Sequence, residues 1–414
     1  MKIEPINAIV YNTEKINIKD VIAPPYDVID DKYQDELYKR SNYNIVRLIL
    51  SKAENRYEDS AKQFEEWKSN EILIQTEKPA IFYIIQIYTD NKGKIIERKG
   101  FIARNKVEEF ETGKILPHEY TMGGPKQDRF DLITATKAFF SQIFMVYHDE
   151  RQTIENNILP KYIKTTPFID VVDDNGVENI VYIIDDSKDI ELICKTMEDK
   201  ILLIADGHHR YETSMKYAKE HKDNRYAQFV MSYFTNSADE NLIIYPTHRI
   251  VEKYFTKDSI LNAVSKYYEI DIETDKNKFL KRIEEENKNQ ITTGLIIKND
   301  NNYYILKLQS GAEKLIDAPQ ELQKLDLNVL HELILKKELA FSQDELMSQN
   351  GIKYEKKEDV AFDSIKYNAS ACFIMAYPKM KDVLNISSAG YRMPQKSTYF
   401  YPKLLSGIVI NPLA

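Results

Sequence analysis

Two spacings of apolar residues alternate along the chain. Apolar positions recur at intervals of three and four over 31–39, 58–67, 260–267, 278–287 and 328–336, which predicts helices. Runs rich in β-branched and aromatic residues over 80–88, 294–297, 303–308 and 371–376 predict strands, and Asn91-Lys92-Gly93-Lys94 reads as the turn from the first of these into a strand through 101–103. Pro24-Pro25 interrupts the apolar segment from Val21 to Ile29 and fixes an extended or turning backbone there. The class is α/β (α+β). We expect an N-terminal α/β module over 1–98, a central module over 99–250 that holds Gly113, Gly123, Gly124 and Gly207, and a C-terminal α/β module over 251–414. The aromatic and basic segment 390–403 is expected to be docked rather than frayed.

Composition narrows the class of partner. A chain of 414 residues exceeds what one hydrophobic core serves, and 43% hydrophobic with 29% charged residues excludes a disordered chain or a fibre. The net charge of -8 opposes a phosphate backbone, so no nucleic acid is expected as a partner. Cys194 and Cys372 lie far apart in apolar settings and suggest neither a disulfide nor a metal knuckle. With no signal-peptide pattern and no long uncharged apolar stretch, the expected location is cytoplasmic, without membrane contact. Oligomeric state is not readable from these residues.

The strongest chemical signal is Ile201-Leu202-Leu203-Ile204-Ala205-Asp206-Gly207-His208-His209-Arg210-Tyr211-Glu212: a strand, a glycine turn and a helix start. Backbone N–H groups and the helix dipole favour an anion at such a point. His208, His209 and Arg210 add cationic groups where a helix start disfavours them, at about 0.3–1 kcal/mol each when charged and exposed. Something negative must offset them: a bound phosphate, or a nearby carboxylate taken by Arg210. His208 and His209 are adjacent and lack the three- or four-residue spacing of zinc ligands on one helix face.

A second signal is Ile115-Leu116-Pro117-His118-Glu119-Tyr120-Thr121-Met122-Gly123-Gly124-Pro125-Lys126-Gln127-Asp128-Arg129, which reads as an active loop. Glu119 could accept the proton of a substrate hydroxyl within about 3 Å, and Lys126 and Arg129 could hold phosphate oxygens. Tyr245-Pro246-Thr247-His248-Arg249 follows an apolar run and presents polar groups at a strand end, where open α/β sheets bind ligands. Lys396 follows no P-loop glycines but could close over a nucleotide together with Lys403. Asp27, fixed by the two prolines, is expected to point into a cleft. His331-Glu332, on an amphipathic pattern with Leu327, Leu330 and Ile334, reads as packing.

Taken together, Ala23-Pro24-Pro25-Tyr26-Asp27, Leu116-Pro117-His118-Glu119, the Asp206 to Glu212 segment, Pro246-Thr247-His248-Arg249 and the segment from Met393 to Lys403 resemble the family named domain of unknown function 1015 over almost the whole chain. More distantly, Pro-His-Glu and Asp-Gly-His-His-Arg resemble the free-serine kinases of ParB/sulfiredoxin-like fold. That resemblance implies Glu119 as the base, with His118 and Asp206 beside it in catalysis. It further implies Asp206 as a metal ligand for Mg²⁺, and Gly207, His208, His209 and Arg210 at the transferred phosphate. Thr247, His248 and Asp27 fall to the substrate. The expected reaction is phosphotransfer between an adenine nucleotide (ATP or ADP) and the hydroxyl of L-serine or O-phospho-L-serine, in either direction. Hydrolysis of phosphoserine and nucleotide-dependent regulation without catalysis are the alternatives.

Overall fold

Strand pairing sorts the chain into units that its linear order does not suggest. The computed structural model describes residues 1–120, 124–394 and 396–413, without the side chains of 124 and 125; Gly123 and Gln395, singled out above, lie outside the described residues. The described residues of Met1–Pro117, Thr121–Ile243 and Pro402–Ala414 form a first unit, and those of His118–Tyr120 and Ile244–Tyr401 a second.

The first unit is built on a mixed sheet of nine strands among the described residues. Its order is Ile115–Pro117, Leu202–Asp206, Ile143–Tyr147, Phe229–Asn236, Ile95–Lys106, Ile81–Thr89, Glu178–Ile184 and Ile169–Val172, with Ile3–Glu4 pairing beside Ile95–Lys106. Every residue of Phe229–Asn236 is buried, as in a strand covered on both faces. Helices Asp31–Arg40 and Arg56–Ser69 follow the predicted patterns. The second of these buries Ser60, Phe64 and Trp67, one face of a helix, in a core shared with Tyr11, Leu132 and Phe140.

The expected boundary at 98/99 falls inside the strand Ile95–Lys106, which pairs with Ile81–Thr89 on one side and with Phe229–Asn236 on the other. One sheet therefore joins what punctuation had separated, because hydrogen bonding between strands leaves no mark in local composition.

The second unit holds an antiparallel sheet in the order Tyr268–Glu273, Tyr303–Leu308, Thr292–Ile297, Ala371–Ile374, His248–Val251 and Ile352–Glu355. The boundary expected at 250/251 lies within its strand His248–Val251. Helix Lys276–Glu286 packs Phe279 and Ile283 against it. The pattern at 328–336 becomes a short helix, Asp326–Val329, continued by a π-helix, Leu330–Glu338. That π-helix buries Leu330, His331, Leu333, Ile334 and Leu335, a broader face than an ordinary surface helix presents. Of the segment 390–403, Met393, Ser397 and Phe400 are buried, whereas Tyr391 and Lys396 are exposed. Among the described residues no helix is long and apolar enough to cross a membrane.

Candidate functional site

In the first unit, Leu202 to Ala205 are buried and deliver Asp206 to a strand end. Gly207 then turns the chain at φ +92°, and helix His208–Glu220 begins. Only glycine takes that conformation without strain. A Cβ at Gly207 would also stand 3.0 Å from Arg210 Cζ, because the guanidinium folds back over the turn. Arg210 Nη2 donates to Asp206 Oδ2 at 3.1 Å, and Nη1 donates to the Gln142 carbonyl. Lys403 Nζ donates to Asp206 Oδ1 at 3.0 Å.

Burial alone would raise the Asp206 carboxyl. The Lys403 ammonium and the Arg210 guanidinium, followed by His208, override burial and hold it well below the usual carboxylate range. Asp206 thus supplies part of the negative charge that the helix start requires. Two cations therefore meet this carboxylate, with His208 buried and His209 half-buried in the first helical turn.

Asp206, expected as a metal ligand, is bonded to cations on both oxygens. Among the described residues no group of three His, Cys, Asp or Glu side chains is placed to hold a metal ion. Mg²⁺ is commonly held by one or two carboxylates together with substrate phosphates and water.

Arg129, on the helix Gly124–Thr136, is 7% exposed. Its Nε donates to Asp128 Oδ2 at 2.7 Å, its Nη2 donates to the Ile49 carbonyl at 3.0 Å, and the Tyr26 ring lies 4.1 Å from the guanidinium. Lys126 pairs with Glu212 of the helix His208–Glu220. Both cations expected on phosphate are therefore engaged by the protein itself. The turn after Pro24-Pro25 aims Tyr26, not Asp27, inward: Tyr26 lines a cavity of about 30 Å³ with Arg129, Arg210, Ile49, Leu132 and Phe140, whereas Asp27 is exposed. That volume holds about one water.

In the second unit, Glu119 bridges to Met393, whose N–H donates to the His118 carbonyl at 2.7 Å. Glu119 Oε1 accepts from the Ser397 N–H at 3.2 Å and from the Thr398 hydroxyl at 3.4 Å. His118 is buried, with Nε2 2.8 Å from Thr398 Oγ1 and its ring edge-on to Phe400. Thr398 thus stands between the His118 ring and the Glu119 carboxylate.

Thr247 and His248 are buried on or beside the strand His248–Val251. His248 Nδ1 accepts from the Met375 N–H at 3.1 Å, and burial followed by the Arg249 charge lowers its pKa to about 4. It is a neutral acceptor in the sheet and not a cation awaiting a carboxylate. Lys396 is exposed, with its backbone at φ +56°.

Several pairings, though not the residues themselves, escaped the sequence reading. Lys403 reaches Asp206, Ser397 and Thr398 hold Glu119, and Arg249 is fully buried, with its Nε 3.1 Å from His331 Nε2. The Lys-Ser-Thr string in an aromatic tail was a visible hint for the second of these. Nothing in the local pattern of His331 distinguished it from packing.

Comparison with solved structures finds similarity to a mutant free serine kinase in complex with ADP, at 14% identity and TM-score 0.37, over 77% of this chain and 92% of that chain. SbnI with a C-terminal truncation from Staphylococcus aureus is similar at 11% identity and TM-score 0.38, over 75% and 87%. A conserved hypothetical protein from Pyrococcus furiosus is similar at 15% identity and TM-score 0.34, over 73% and 93%. No curated protein sequence matches the chain. The model of the family described as a protein of unknown function (DUF1015) matches residues 3–328, and the chain belongs to that family.

Proposed function

We propose that the protein moves a phosphoryl group between an adenine nucleotide and the hydroxyl of a small substrate, L-serine or O-phospho-L-serine. The observation that carries this reading is the turn at Gly207, where a helix start, Arg210 and Lys403 gather around the Asp206 carboxylate. Such a turn suits phosphate oxygens, whose charge is spread over the transferring group, and phosphoryl transfer needs charge stabilisation and alignment more than covalent help. Asp206 keeps Lys403 and Arg210 in place before the anion arrives.

In this reading Glu119 is the base. The Ser397 N–H and Thr398 hydroxyl favour its ionised form by hydrogen bonding to it. The carboxylate takes the proton of the acceptor hydroxyl, the oxygen bonds to phosphorus, and the bond from phosphorus to the nucleotide's bridging oxygen breaks.

Phosphorus NMR of the purified protein with serine or phosphoserine against AMP, ADP, ATP and pyrophosphate tests the reading. Phosphoserine gained or lost only when nucleotide is present supports it. Inorganic phosphate released from phosphoserine without nucleotide would make the protein a phosphatase, and no change with any pair would remove the phosphotransferase. Glu119→Gln is expected to lower turnover about 10²-fold or more, with nucleotide affinity unaltered. Arg210→Ala is expected to weaken nucleotide binding in calorimetry.

A further inference from the structure

Arg249 is a charge buried at a cost that its surroundings do not obviously repay. It is 0% exposed, and among the described residues it has no carboxylate within ion-pair distance. Burial lowers its pKa to about 10, so it remains charged at neutral pH. Its hydrogen bonds are specific: Nε to His331 Nε2 at 3.1 Å, Nη1 to the Thr247 carbonyl and Nη2 to the Lys396 carbonyl at 3.1 Å, with the Tyr354 ring 4.5 Å from the guanidinium. His331 stands on the π-helix Leu330–Glu338 and must carry its hydrogen on Nδ1 to accept from Arg249.

The Lys396 carbonyl that Arg249 grips and the Ser397 N–H that donates to Glu119 belong to one peptide group. A peptide is planar, so fixing its oxygen fixes the direction of its N–H. A cationic donor on the oxygen also polarises the amide and strengthens the N–H as a donor. The turn needs such a grip, since Lys396 occupies left-handed backbone (φ +56°), a strained region for a residue with a side chain.

We propose that Arg249, oriented by His331, is a positioning residue for Glu119, acting through the Lys396–Ser397 peptide. This rests on Glu119 being the base. Among the described residues, the charged and titratable groups near Glu119 in its unit include His118 at 3.6 Å, Arg392 on its carbonyl, and Arg249 beyond the peptide. Arg249 reaches Glu119 through the Lys396 oxygen, so loss of His331 is expected to act on Glu119 by way of Arg249.

The test uses the full chain and the variants His331→Leu, which cannot accept a hydrogen bond, and His331→Gln, which can. His331→Leu is expected to lower kcat about tenfold or more by misplacing the carboxylate, with the KM for nucleotide unchanged and the acid limb of the kcat profile moved to higher pH. His331→Gln is expected to recover kcat to within about threefold. In a Glu119→Gln background His331→Leu should subtract nothing further, because the two losses share one path.

If Glu119→Gln alone leaves turnover intact, the base assignment falls first. If Glu119→Gln is inactive but His331→Leu keeps kcat and its pH profile, the positioning role is overturned. Should His331→Leu fold poorly, hydrogen exchange of the segment 393–401 in His331→Gln and wild type decides. Protection of the Ser397 amide is expected in both, and a freely exchanging amide in wild type would end the proposal.

Discussion

His209-Arg210 and His248-Arg249 are the same pair of residues in two settings. The first opens a helix at a strand end in the first unit; its arginine side chain is 12% exposed and meets a carboxylate. The second lies within a strand of the second unit, and its guanidinium is sealed against two carbonyls, an imidazole and a ring. A partly open cation at a helix start is suited to receive an anion. A sealed cation bonded only to neutral groups is suited to hold backbone in place. The dipeptide alone does not distinguish them; position on the element and the groups it meets do.

The sharpest way to break this contrast is to replace the sealed cation. Arg249→Leu leaves the Lys396 and Thr247 carbonyls and His331 without their donor and is expected to cost about 3 kcal/mol or more in urea unfolding. Arg210→Leu should cost less than half as much, since Lys403 still holds Asp206.

Acid separates the two regions next. His248 has a pKa of about 4 when folded, against 6.5 ordinarily, so below pH 6.5 the unfolded chain takes up a proton that the folded chain refuses. Stability from this ring is complete above pH 6.5 and falls toward pH 4, by on the order of 3 kcal/mol. Burial holds His331 neutral and acts in the same direction. The depressed Asp206 carboxyl behaves oppositely: its contribution is present above its ordinary pKa of 3.8 and is lost only as pH falls below it. Urea midpoints at pH 7.5 and 5 should therefore differ in wild type, differ less in His248→Gln, and differ as in wild type in Asp206→Asn.

The smallest effect sharpens the first region alone. Gly207→Ala forces a side chain into left-handed backbone and against Arg210, at about 1–2 kcal/mol in thermal unfolding. It should also reduce nucleotide binding by displacing the guanidinium.

Much of the local architecture was legible. Helices at Asp31–Arg40 and Arg56–Ser69, strands at Ile81–Thr89 and Tyr303–Leu308, and the strand, glycine and helix around Gly207 all follow from spacing and conformational preference within a few residues. That the turn would carry a carboxylate among cations was also visible, since Asp206 and Arg210 are one helical turn apart.

Tertiary structure decided the rest. It brought Lys403 to Asp206 across 197 positions and Ser397 to Glu119 across 278. It turned Arg129 and Lys126 from free cations into paired ones, and it placed Tyr26 rather than Asp27 in the cavity. Short-range preferences act over a helical turn or a strand pair, and these reveal which residues begin an element. Which charge is neutralised, and which peptide a buried arginine holds, depends on groups that only the closed chain makes neighbours.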